Sequence, residues 1–138
     1  MAQPALEKWQ GQVATLKLGA SKEEGGSRLG VIKIGGQQTL PFLFNEGSIP
    51  NRPQIAFEIW DIMPVDWPQE LLKTYGEVLN DPLAWAQTCV RQYKAQALCI
   101  KLVGAHPDFG NKSADQEAAL IAKLLKAVDV PLIILGSG

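Results

Sequence analysis

The sequence predicts an α/β protein in which a β-hairpin precedes a strand–helix–strand–helix–strand run. Three observations predict it. Between Val13 and Gly36 two short runs alternate apolar and polar residues around a polar, Gly-rich loop. From residue 54 onward, strand-length apolar runs alternate with segments of helical periodicity. The last run, VPLIILGSG, is almost continuously apolar, as a strand buried on both faces of a parallel sheet must be. Such βαβ alternation demands parallel strands joined by crossovers.

Each element has its own signal. Residues 1–12 read as a short, helical lead-in. Val13 to Gly19 (VATLKLG) and Leu29 to Gly36 (LGVIKIGG) read as antiparallel strands joined by ASKEEGGSR. A lone hairpin is marginally stable, so it should lie against something larger. The stretch FNEGSIPNRP, from Phe44, crowds turn residues before the strand QIAFEIWD (54–61). Pro50, Pro53 and Gly47 fix this link, and Glu46 and Arg52 are candidates to tie it down. In DWPQELLKTYGEVLN, Asp66 and Gln69 match a capping box, with Pro68 in the first turn. Asp81 caps a second helical segment, with Pro82 at its first position and Ala86, Cys89, Val90 and Tyr93 as its stripe. ALCIKLVG (97–104) is the next strand. Ser113 and Gln116 form another capping box, and Ala118, Ile121, Ala122 and Leu125 are read as that helix's stripe. The domain division expected is 1–53 for lead-in, hairpin and link, and 54–138 for the βαβαβ portion.

Composition bounds the function. The chain has 138 residues, 46% hydrophobic and 20% charged, which is ordinary for a globular domain. Its net charge of −1 gives no basic footprint for nucleic acid. No apolar run nears the roughly 18–20 residues that span a bilayer, and the N-terminus lacks the apolar core of a signal peptide. Cys89 and Cys99 have no metal-ligand spacing and read as small buried hydrophobes in a reduced, cytoplasmic setting. No nucleophile-plus-base set, phosphate loop or metal-ligand cluster is visible. A sequence stopping directly after a buried parallel strand is expected to be the N-terminal part of a larger α/β protein.

Several dispersed stretches, in order, carry a family resemblance: LKLGASKEEGGSR, IGGQQTLPFLFNEGSIPNRPQIAFEIWD, DWPQELLKTYGEVLNDPLAWAQ, IKLVGAHPDFGNKSADQ and VDVPLIILGSG. With these the chain resembles the small subunit of the corrinoid iron–sulfur protein, the delta subunit of the acetyl-CoA decarbonylase/synthase complex. The resemblance implies a (β/α)8 TIM barrel, of which this chain would form the hairpin and the first strands and helices. It implies a subunit that is not catalytic by itself. It further implies a corrinoid (cobalamin) shared with a large subunit that also carries an iron–sulfur cluster. The remaining partners implied are a methyltetrahydrofolate methyltransferase and acetyl-CoA synthase, between which the methyl group passes. A stand-alone barrel enzyme acting on a pterin or similar one-carbon substrate is the alternative.

On a barrel, chemistry gathers at the C-terminal strand ends. Asp61, His106, Asn111 and Ser137 fall on that face and are the candidate cofactor-binding residues. Trp60 and Trp67 lie near it, and either pack or meet the corrinoid or the large subunit. By the strand pleat, Ala56, Glu58 and Trp60 share a face, as do Ala97, Cys99, Lys101 and Val103. Glu58 and Lys101 are therefore expected to pair as opposite charges in the lumen. The hairpin is expected under the opposite, N-terminal ends.

Overall fold

The structure, a computed structural model, describes residues 5–7, 9–40, 42–43 and 45–137. Phe44, where the turn-rich link begins, and Gly138 lie outside them. Two sheets are present among these residues. Strands β1 (Thr15–Leu18) and β2 (Ile32–Gly35) form the antiparallel hairpin. Strands β3 (Ala56–Trp60), β4 (Ala97–Lys101) and β5 (Leu132–Leu135) form a parallel sheet in sequential order. The helices are α1 (Gln69–Tyr75), α2 (Pro82–Arg91) and α3 (Ala114–Ala127).

The pleat sorts the sheet's side chains as the alternation requires. Ile59, Leu98 and Ile100 are fully buried on the helix-covered face. They meet Trp85, Ala86 and Cys89 of α2 and Leu124 of α3 in one core cluster. Each such side chain contributes about 1.5–3 kcal/mol by leaving water. An aromatic chain extends the core: Trp67 packs edge-on against Trp60 (5.5 Å between centroids) and Trp85 (5.4 Å), and Tyr75 joins Trp85 to Tyr93.

Two of the expected caps form. The Asp81 carboxylate accepts from the Leu83 amide at 2.9 Å, with Pro82 at the first helical position. Ser113 and Gln116 make the reciprocal capping box of α3. Three local expectations are corrected. Asp66 does not cap α1: that helix starts at Gln69 after Pro68 with no side-chain cap, because Pro68 holds extended backbone and moves the start past Asp66's reach. The lead-in is not helical among its described residues. The stripe of α3 is rotated by one position, running Glu117, Leu120, Ile121, Leu124 and Val128, while Ala118, Ala122 and Leu125 are exposed. Spacing alone placed the apolar residues inward, but α3 buries a carboxylate on its inner face.

The hairpin lies at the N-terminal ends of the parallel strands. Arg28 fastens it there. Its guanidinium, 5% exposed, donates to the carbonyls of Val128 (2.7 Å), Val130 (3.1 Å) and Leu125, and to Ser27 Oγ. Two of those carbonyls end α3, and the third enters β5, so one cation caps a helix C-terminus and joins three segments. The Leu29 amide adds a bond to the Asp129 carbonyl at 3.0 Å. Within the hairpin loop Ser21 and Glu24 close a 3-10 turn, and Glu24 also pairs with Lys17. In the link, Glu46 accepts from the Glu7 amide at 3.3 Å and Asn51 donates to the Gly35 carbonyl at 2.9 Å, whereas among the described residues the Arg52 side chain makes no hydrogen bond or ion pair.

Candidate functional site

Where β3, β4 and β5 end, their terminal residues and the following loops enclose a cleft of about 240 Å³. Trp60 closes β3, Lys101 closes β4, and Ser137 follows β5 by two residues. Met63, Val65 and Asp66 come from the loop after β3, and Val103, His106 and Phe109 from the loop after β4. Met63, Val65 and Phe109 are 46%, 73% and 51% exposed, so apolar side chains form part of the open rim. Lys101 stands over the Trp60 ring, its Nζ 5.3 Å from the centroid, within cation–π range. The cleft thus offers an aromatic and aliphatic wall with one cation set into it.

Of the residues expected at this end, the structure brings His106 and Ser137 into the cleft. His106 Nδ1 accepts from the Asp108 amide at 3.2 Å. Its ring lies 5.6 Å from that of Phe109. Asn111 is not among the lining residues. It takes φ +50°, a left-handed turn that Asn tolerates better than most residues, and its amide closes the loop onto the His106 carbonyl at 3.1 Å.

Asp61 is at the right end of β3 but points away from the cleft, into protein. Its side chain is fully buried and fully engaged. Lys112 Nζ donates to Oδ2 at 2.8 Å and to the Asp61 carbonyl at 2.9 Å, while the Gly104 amide donates to both carboxylate oxygens at 2.9 and 3.0 Å. Burial pushes the Asp61 carboxyl up, but the Lys112 and Gly104 hydrogen bonds outweigh it and hold it below its ordinary value. Gly104 has to be glycine for this contact, since a Cβ would collide with Asp61 Oδ2. Asp61 therefore shapes the loop after β4 and offers nothing outward.

The expected Glu58–Lys101 ion pair is not made. Both side chains share one face of the sheet, but the register sets Glu58 opposite Cys99 and Trp60 opposite Lys101. Trp60 stands between the charges and serves each: its Nε1 donates to Glu58 Oε1 at 2.6 Å, and its ring receives Lys101. Glu58 is also exposed, so no dry cavity forces a direct pair. Cys99 lies between them, and its thiol is raised above the ordinary value by burial first and by Glu58 second.

Sequence reasoning passed over Arg28, Lys112 and Glu117. The first two were hidden among loop residues, where a cation ordinarily reads as solvated. Glu117 sat at a position whose burial only the helix's true rotation reveals. Gly104, directly after a strand and before a polar loop, was the available signal for a close backbone approach.

Residues 17–138 match the family model described as CO dehydrogenase/acetyl-CoA synthase delta subunit. The acetyl-CoA decarbonylase/synthase complex subunit delta of Methanocaldococcus jannaschii is 38% identical over 136 residues, covering 99% of this chain and 33% of that protein. The subunit of the same name from Methanothermobacter thermautotrophicus is 37% identical, over 98% of this chain and 33% of its own length. That from Methanopyrus kandleri is 34% identical, over 93% and 32%. The chain spans about a third of the length of these relatives.

Proposed function

This chain belongs to the CO dehydrogenase/acetyl-CoA synthase delta subunit family, and from that premise we propose that it forms the hairpin and first βαβαβ portion of a TIM-barrel subunit in a corrinoid iron–sulfur methyl carrier. In this reading the subunit is not itself the catalyst. It covers a corrinoid held jointly with a large subunit, which also bears the iron–sulfur cluster. The assembly passes a methyl group from methyltetrahydrofolate, by way of a methyltransferase, to acetyl-CoA synthase. A cytoplasmic setting belongs to the same reading; among the described residues no helix is long and apolar enough to cross a membrane.

The observation that carries the proposal is the cleft at the C-terminal strand ends. A corrinoid is a broad, flat macrocycle fringed with amides. The wall of Trp60, Met63, Val65 and Phe109 suits its apolar ring, and Lys101, His106 and Ser137 suit its amide fringe. Size favours a cover over an enclosing pocket. About 240 Å³ is below the roughly 300–1,000 Å³ of pockets that enclose a drug-sized ligand. A group larger than that has to be shared with another surface, as a cofactor held between two subunits would be. The corrinoid would supply the methyl-carrying chemistry. This chain's residues would bind one side of it and keep water from that side.

The test uses the assembled large and small subunits. Phe109→Ala with Lys101→Glu removes the rim and reverses its charge without touching the core. The proposal predicts that the double variant assembles normally but retains several-fold less corrinoid through gel filtration, read by absorbance. Full retention would contradict it.

A further inference from the structure

Behind the cleft, three charged side chains meet in the protein: Asp61 at the end of β3, Lys112 in the loop before α3, and Glu117 in the first turns of α3. One cation faces two carboxylates. Lys112 is committed to Asp61 at 2.8 Å and stands 4.0 Å from Glu117 Oε1. The Glu117 side chain is only 6% exposed, and among the described residues neither of its oxygens has a hydrogen-bond partner. A buried carboxylate without a donor is strongly disfavoured. A proton removes the conflict: a protonated Glu117 becomes a donor, and the adjacent Asp61 carboxylate is an acceptor.

We propose that Glu117 holds a proton shared with Asp61, so that Asp61, Lys112 and Glu117 form a net-neutral clasp that fixes the loop carrying His106 and Phe109, and that the loop loosens when this proton leaves. The clasp grips the loop at both ends. Gly104 donates its amide to Asp61, and its carbonyl accepts from the Lys112 amide at 2.9 Å. Asp61 and Lys112 are the charged groups that bear on Glu117 from the elements around it. Burial raises the Glu117 carboxyl most, the nearby Asp61 carboxylate raises it further, and Lys112 only partly opposes them. The sign follows. A group raised in the folded state favours folding when protonated, and that contribution is lost as pH climbs from the ordinary carboxylate range through the raised value. The device does not depend on what occupies the cleft.

The experiment compares the full-length protein with Glu117→Gln, whose amide keeps the donor to Asp61 but cannot titrate. Hydrogen exchange of amides 104–113, corrected for the intrinsic pH dependence, is followed from mildly acid to alkaline pH. The parent should lose protection in this loop as pH rises, at least tenfold across the series, while E117Q stays flat. The infrared difference between the two should also show a carboxylic-acid carbonyl band in the parent alone at the acid end. Equal pH dependence in both proteins, or no such band, would overturn the proposal. Loop protection that does not change with pH in the parent would overturn it whatever E117Q does.

Discussion

Trp60 illustrates how one side chain settles the fate of two charges. A bare count of carboxylates and amines on this sheet face suggests an ion pair whose loss would leave a charge buried. The indole intervenes instead, donating to Glu58 at 2.6 Å and lying 5.3 Å under Lys101. Exposed interactions of this kind are worth under about 1 kcal/mol each. Lys101→Met should accordingly lower the unfolding free energy measured in urea by less than about 1 kcal/mol. A loss of 3–5 kcal/mol, the range for breaking a buried pair, would mean that the face is dry and the charges are coupled directly.

Among the elements, the hairpin is seated chiefly by Arg28, with one backbone bond from Leu29 beside it. Arg28 satisfies carbonyls from α3, from the turn after it and from the entry to β5. Removing it strands the buried Val128 carbonyl and leaves the partly buried Leu125 and Val130 carbonyls without this donor. Buried unsatisfied groups cost about 1–3 kcal/mol each, and hydrogen bonds to a charged group contribute about 1.5–3 kcal/mol. Arg28→Ala should therefore destabilise by about 3 kcal/mol or more and raise exchange at Leu29 and Val130 together. Arg28→Lys should recover only part, since an ammonium lacks the guanidinium's flat fork. A cost below about 1 kcal/mol in chemical denaturation would show that the hairpin is seated by something else.

Elements were legible wherever a local signal decided them. Asp81 with Pro82, and Ser113 with Gln116, announced two helix starts because capping is a matter of a few consecutive residues. The alternation in 54–61 and 97–104 gave the faces of β3 and β4, because side chains on a strand must alternate. What failed was set by backbone geometry or by distant contacts. The start of α1 moved because Pro68 fixed the backbone beyond Asp66, and α3 turned by one position to bury Glu117 beside Lys112 and the Asp61 carboxylate, which is distant in sequence. Asp61 was placed at the correct strand end, yet its side chain turned inward to meet Gly104, a contact 43 residues away that no spacing rule contains.

For the molecule as a whole, the polarity of the parallel sheet sets two unlike ends. At one end the hairpin is fastened to the end of α3 and the entry of β5 through Arg28 and Leu29. The other carries an open, apolar-rimmed cleft whose loop is braced from behind by Asp61, Lys112 and Glu117. Recognition at strand C-terminal ends is the general habit of parallel α/β architectures, since the loops there vary without disturbing the sheet. That the cleft end of this chain faces the corrinoid is the central claim, and it has a direct measurement. Hydrogen exchange is compared in the assembled carrier stripped of corrinoid and in the same protein reconstituted with cobalamin. The claim predicts that loading slows exchange in segments 60–67 and 102–110 and leaves the hairpin, 13–36, unchanged. Protection confined to the hairpin, or no change in either cleft segment, would contradict it.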